Sequence, residues 1–369
     1  MPCPAFLSHP IFLASGFGRH HPLSIPRQSL VIGLAEALGW LDRADIEPCP
    51  LPDIGVLARL HEPAYLEALE TAARAGVASR EARERYNLGT MECPIFPGLW
   101  DRARATVGGS IRAAELAMSG RTAFHPAGGT HHGMTARASG FCYFNDPAFA
   151  VLSFLDLGAA RVAYIDIDAH HGDGVEAMFA PDPRVMTLSI HEEGRWPGTG
   201  RLGDRARGRA HNMPVPRDIS DSEFLYLIDE AVLPLAETFA PGAVVVTCGV
   251  DTLAGDPLSG MALSNTAVWD AVDRIACLGR PTVILGGGGY NPWTLARAWT
   301  GVWGRLCGEG TAIALPEAAR ALLAPLSVDL VEPEDIDPRW LSRLEDTPHP
   351  GPIRDPIRHI AEKMRAPSQ

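Results

Sequence analysis

Apolar residues along this chain fall into two patterns. Short β-branched and aliphatic runs occupy 122–126, 161–168, 185–190, 243–250 and 282–285, a length that suits strands. Longer stretches at 99–118, 222–239, 266–277 and 294–306 repeat their apolar positions with a helical period, and each adjoins one of those runs. The alternation predicts an α/β fold in which helices cover both faces of a parallel sheet. Residues 80–98, rich in charge, Gly and Pro without a sustained period, predict a long loop that could border a pocket. From Asp346 onward Pro348, Pro350, Pro352 and Pro356 interrupt the pattern. The expected division is a catalytic unit over 1–345 and a peripheral Pro-rich tail over 346–369, with a short helix near 357–364.

A hydrophobic share of 46% and a charged share of 21% in 369 residues describe a soluble globule with ample core, consistent with one large α/β domain. The 44 acidic against 32 basic side chains leave a net charge of -12, which argues against a nucleic-acid surface. Seven scattered cysteines without a CxxC pair suit reduced thiols in a cytoplasmic protein rather than a disulfide framework or a thiolate zinc site. No apolar run is long enough to span a bilayer, and the opening residues, broken by Pro2, Pro4 and Pro10, lack the basic start of a signal peptide. No membrane partner is expected.

Six of the thirteen histidines, His125, His131, His132, His170, His171 and His191, lie between positions 125 and 191, most of them where a predicted strand ends. In open α/β sheets that carboxyl edge is where ligands bind. The run Tyr164-Ile165-Asp166-Ile167-Asp168-Ala169-His170-His171-Gly172-Asp173 sends Asp166, Asp168 and His170 to one side if strand alternation continues through it. Gly249-Val250-Asp251 follows the apolar run at 243–247 and brings a further carboxylate to the same edge. Asp168, His170 and Asp251 would make a three-ligand N/O site with an open position, the arrangement catalytic zinc uses. The adjacent pair His131-His132 offers a base for water, and Asp166 and Asp173 are carboxylates free to fix imidazole tautomers. Last comes Gly286-Gly287-Gly288-Gly289-Tyr290, which lacks the spacing of a phosphate loop and reads as a flexible hinge presenting a phenol to a developing oxyanion.

With these four clusters in this order, the sequence resembles the arginase/deacetylase superfamily, and within it the histone deacetylases and bacterial acetoin-utilisation deacetylases, over roughly residues 9–307. The resemblance implies a single domain around an eight-stranded parallel sheet flanked by helices. It implies a zinc-dependent amidohydrolase releasing an acetyl or other short acyl group from acyl-lysine or another acylated small amine. Asp168, His170 and Asp251 would bind zinc, a ligand set that also accepts ferrous iron. His132 would be the general base and His131 its electrostatic partner, Asp166 buttressing His131 and Asp173 buttressing His132. Tyr290 would polarise the scissile carbonyl. A structural potassium ion would sit among Asp166, Asp168, His170, Ser189 and Ile190. Gly140 and Phe141 would line one side of the substrate tunnel and Trp196 the other, where the family more often has phenylalanine. Glu92 stands where the family usually places an aspartate that grips the substrate backbone.

Three rivals stay in view. A ureohydrolase needs a second metal-binding carboxylate, yet positions 249 and 253 are Gly and Leu. Acetylpolyamine hydrolysis uses the same catalytic set, but polyamine-selective relatives carry glutamate where this chain has Leu258. A non-catalytic acyl-group sensor would be expected to lack a ligand or the tyrosine, and all are present. The loop at 80–98 could cap its own site or a neighbour's, which leaves a homo-oligomer open.

Overall fold

The structure, a computed structural model, describes residues 3–365. Its eight strands are β1 (Ala5–Ser8), β2 (Glu47–Pro48), β3 (Ala123–His125), β4 (Val162–Asp166), β5 (Val185–Glu192), β6 (Ala210–Val215), β7 (Ala243–Thr247) and β8 (Thr282–Leu285). They form one all-parallel sheet in the order β2-β1-β3-β8-β7-β4-β5-β6. The expected α/β architecture is what the chain adopts.

Successive residues of the central strands enter different cores. Ala163, Ile165, Val244, Val246 and Ile284 join the larger apolar cluster on one face, while Val162, Tyr164, Ala243, Val245, Val283 and Leu285 join a second on the other. A strand buried on both faces reads as a continuous apolar run, which is why these were visible as such. Three strands lacked that signature. β1 and β2 are four and two residues long, and β6 carries His211, Asn212 and Pro214 at the sheet margin.

The helical segment expected over 222–239 is Asp221–Leu227 and Leu233–Phe239 joined by a π-helical turn at Ile228–Val232. The expected loop at 80–98 opens with a helix, Arg80–Tyr86, capped by Ser79, whose side chain accepts from Ala82 N.

The segment after Asp346 is docked rather than peripheral. Helix Asp355–Arg365 buries Ile357, Ile360, Ala361 and Met364 in the larger cluster, Arg354 grips the buried Glu223 at 2.6 Å, and Arg297 reaches Asp346 at 2.5 Å. The short helix was expected near 357–364, but the four prolines masked that the segment packs on the core. Residues 366–369 of the expected tail lie outside the described residues. Among the described residues no helix is long and apolar enough to cross a membrane.

Candidate active site and metal centre

β3, β8, β7 and β4 lie side by side at the middle of the sheet, and the segments leaving their carboxyl ends carry most of the candidate residues. β4 ends at Asp166, so strand alternation does not deliver Asp168 and His170. Two turns closed by aspartate side chains do: Asp168 N donates to Asp166 Oδ1 at 3.2 Å, and His170 N donates to Asp168 Oδ1 at 2.9 Å. Asp251 arrives four residues beyond β7, its Oδ1 accepting from Ala169 N at 2.9 Å.

Asp168, His170 and Asp251 are all buried and offer ligand atoms within 4.8 Å of one another. His170 Nδ1 lies 2.9 Å from Asp251 Oδ2 and 3.3 Å from Asp168 Oδ1, the spacing of roughly 3.3 Å that a tetrahedral site with about 2.0 Å bonds imposes. Burial and the Asp168 charge push the Asp251 carboxyl upward, a cost a cation removes. The residues therefore fit a single divalent metal. The glycine run before Tyr290 is a packed cradle and not a hinge. Gly288 N donates to Asp168 Oδ2 at 2.6 Å, and a Cβ on Gly288 would fall 1.9 Å from Asp251 Oδ2. A Cβ on Gly249 would fall 2.0 Å from Asp168 Oδ2, so a second metal-binding carboxylate has no room there.

The histidine pair stands beside this trio. His131 Nδ1 donates to Asp166 Oδ2 and His132 Nδ1 to Asp173 Oδ1, both at 2.7 Å, which turns each Nε2 away from its carboxylate. Burial alone would lower His131, but the Asp166 and Asp168 carboxylates outweigh it and hold the imidazole at about 9. Burial and the charge on His131 press His132 down to about 3. These surroundings favour the charged form of His131 and the neutral form of His132.

The turn carrying the pair is fastened from beneath. Asp146 accepts from Gly129 N, Thr130 N and Ser110 Oγ, and Asn145 Nδ2 donates to the His131 and Gly133 carbonyls. Asn145 N in turn donates to Nε2 of His61, whose Nδ1 donates to the Met134 carbonyl. Burial lowers His61 from 6.5 to about 4. Between those values the unfolded chain binds the proton and the folded chain does not, so stability is full above pH 6.5 and falls as pH drops through the window. The loss by pH 4 is roughly 3 kcal/mol. Urea denaturation at pH 7 and pH 5 checks this, with a smaller drop expected in His61→Gln; equal drops would contradict it.

Above the trio a cavity of about 290 Å³ is lined by Glu92, His132, Gly140, Phe141, His170, Arg195, Trp196, Leu258 and Tyr290. Phe141 leans on Tyr290 (centroids 5.9 Å) and Trp196 stands edge-on to His132 (4.6 Å), so the two aromatic walls each touch one candidate catalytic side chain. Burial and the Asp251 charge hold the Tyr290 phenol above its ordinary range, hence protonated, and its hydroxyl makes no hydrogen bond among the described residues. The three expected tunnel residues, Gly140, Phe141 and Trp196, meet at this cavity with Glu92 and Leu258, the other two expected to contact substrate. Ser189 and Ile190 lie one strand away, Ser189 paired in register with Asp166.

A histone deacetylase domain matches residues 21–306. The chain belongs to the histone deacetylase family. It is 36% identical over 315 residues to the acetoin utilization protein AcuC of Bacillus subtilis (81% of this chain, 80% of that one). With histone deacetylase 8 of Xenopus tropicalis it shares 35% over 304 residues (79% and 81%). The crystal structure of a histone deacetylase homologue from Aquifex aeolicus superposes with a TM-score of 0.92 at 32% identity, covering 99% of this chain and 100% of that one. This deacetylase is accordingly a hydrolase of amide bonds, and its family is metal-dependent.

Several contacts and residues of the deacetylase site were not anticipated. Glu92 is engaged by the chain itself, Oε1 accepting from Gly140 N at 2.6 Å and Oε2 from Asn87 Nδ2 at 2.8 Å. Asp256 accepts from Tyr290 N at 2.7 Å and from Leu258 N at 2.9 Å, tying the phenol to the tunnel wall. Its place in Gly255-Asp256-Pro257 was the available signal. Arg27 donates to the Gly287 carbonyl and covers Trp299, and no sequence pattern marked it. Arg195 lines the cavity beside Trp196. Single arginines between landmarks carry no periodicity to read.

Proposed function

We propose that the protein removes acetyl or other short acyl groups from lysine side chains in proteins or peptides, with zinc held by Asp168, His170 and Asp251. The observation that carries this reading is the buried metal-fit trio, whose His170 lines a cavity walled by Phe141 and Trp196. Two flat rings suit an unbranched methylene stem. The divalent ion supplies Lewis-acid activation of water and of the scissile carbonyl.

The chain's own residues do the rest. Phe141 and Trp196 sheathe the stem and exclude water. His132 Nε2 takes the proton from the attacking water and returns it to the leaving amine, its tautomer fixed by Asp173. His131, kept charged by Asp166, stabilises the negative charge that develops beside it. Tyr290 donates its phenolic proton in a hydrogen bond to the carbonyl oxygen as that charge grows. Potassium, held by oxygens of Asp166, Asp168, His170, Ser189 and Ile190, would offset the buried Asp166 and Asp168 charges. A cytoplasmic location agrees with seven free cysteines.

Leu258 favours acyl-lysine over acylpolyamine, because an apolar side chain at the cavity offers a second ammonium nothing. Amine release from matched acetyl-lysine peptide and acetylated polyamine tests the reading. The wild type is expected to prefer the peptide, and Leu258→Glu to shift the ratio toward polyamine by about tenfold, equivalent to one added charge interaction. A wild type that prefers polyamine, or a ratio unmoved by Leu258→Glu, would contradict it.

A further inference from the structure

Glu192 closes β5 with a buried carboxylate that serves several partners. Arg195 binds it in two prongs, Nε to Oε2 and Nη2 to Oε1, both at 2.8 Å. Oε2 also accepts from Gly260 N at 2.6 Å and from Ser259 Oγ at 3.3 Å, so the same carboxylate anchors the turn that carries Leu258. Arg217 adds a second guanidinium, its Nε 3.6 Å from Oε1. It lies so close over Gly260 that a Cβ there would sit 2.3 Å from that nitrogen. Two guanidiniums therefore share one carboxylate, leaving a surplus positive charge beside the cavity.

Arg195 lines the cavity, and its Nη1 has no partner among the described residues. The Glu92 carboxylate, which lines the same cavity, is already engaged by Gly140 and Asn87. The uncommitted donors at the rim thus belong to arginine, in a chain whose net charge is -12.

We propose that Arg195, aimed by Glu192 and backed by Arg217, is a specificity-determining residue that selects acyl-lysine substrates bearing a carboxylate beside the acylated side chain and disfavours acylated polyamines. The inference rests on the acyl-lysine reading above. A guanidinium held on one edge keeps its other nitrogen pointed and charged, the geometry that recognises carboxylate. A polyamine's second ammonium meets the same charge as repulsion. The carboxylate comes from an acidic neighbour in a peptide or from the free α-carboxylate of acyl-lysine itself.

The test compares kcat/KM for acetyl-lysine peptides flanked by Glu or Lys, for acetyl-lysine with a free or amidated carboxylate, and for acetylspermidine. The proteins are wild type, Arg195→Gln, Arg195→Glu and Arg217→Ala, the last leaving the Glu192–Arg195 pair in place should the others fold poorly. The wild type is expected to favour the Glu peptide over the Lys peptide by about tenfold, a ratio that falls toward one in Arg195→Gln, inverts in Arg195→Glu and drops a few-fold in Arg217→Ala. A matching preference for the free over the amidated amino acid identifies the α-carboxylate as the source; a preference confined to peptides identifies the acidic neighbour. The same Glu-to-Lys ratio in all four proteins overturns the proposal. Turnover of acetylspermidine but of no lysine substrate overturns the acyl-lysine reading instead. The Arg195 assignment then stands if Arg195→Glu speeds that turnover about tenfold and falls if it does not.

Discussion

Asp251→Asn is expected to purify with less than about a hundredth of the wild-type zinc affinity and with amine release at background, since it removes one of the three proposed protein ligands. The geometry dictates how asparagine would sit. Asp251 Oδ1 is held by Ala169 N, so the amide oxygen takes that place and the NH2 group faces His170 and Asp168. A donor aimed at the metal position repels a cation. Metal-free stability is expected to survive, because the substitution deletes a carboxylate that burial and the neighbouring Asp168 charge both disfavour. Metal analysis and a thermal melt read the two effects separately. A variant that keeps one tightly bound zinc would contradict the ligand assignment.

Tyr290→Phe separates chemistry from binding. The phenol ring packs near Phe141 while its backbone N–H is tied to Asp256, and neither contact involves the hydroxyl. Phenylalanine should therefore leave the fold, the zinc content and KM near wild-type values. Turnover is expected to fall by about 10²–10³, the usual cost of deleting one donor to a developing oxyanion. Undiminished kcat would remove Tyr290 from the mechanism; a parallel loss of zinc would recast it as structural.

How much of this could be read in the sequence depends on what each residue had to satisfy. β4, β5, β7 and β8 were legible because burial on both faces writes a continuous apolar run. β1 and β2 were too short to write one, and β6 has polar residues at the sheet margin. The metal trio was legible as a set, since Asp168 and His170 follow one apolar run and Asp251 follows another, which brings them to the same sheet edge. Its geometry was not, because turns after Asp166 replace the alternation that the run suggests. Glycines 286–289 signalled an unusual backbone, but only the packing of Gly288 against Asp251 shows that close approach is what they provide. Glu192 and Glu92 act through contacts with distant segments, Glu192 with Gly260 and Glu92 with Gly140, which no local spacing encodes.

The central claim is a metal-dependent acyl-lysine hydrolase, and the most direct measurement is amine release from an acetyl-lysine peptide by the purified protein. It is taken before chelation, after chelation, and after returning one equivalent of zinc. The account predicts release that chelation abolishes and zinc restores. Release that persists in protein shown to be metal-free, or none from protein shown to hold one zinc, would contradict it.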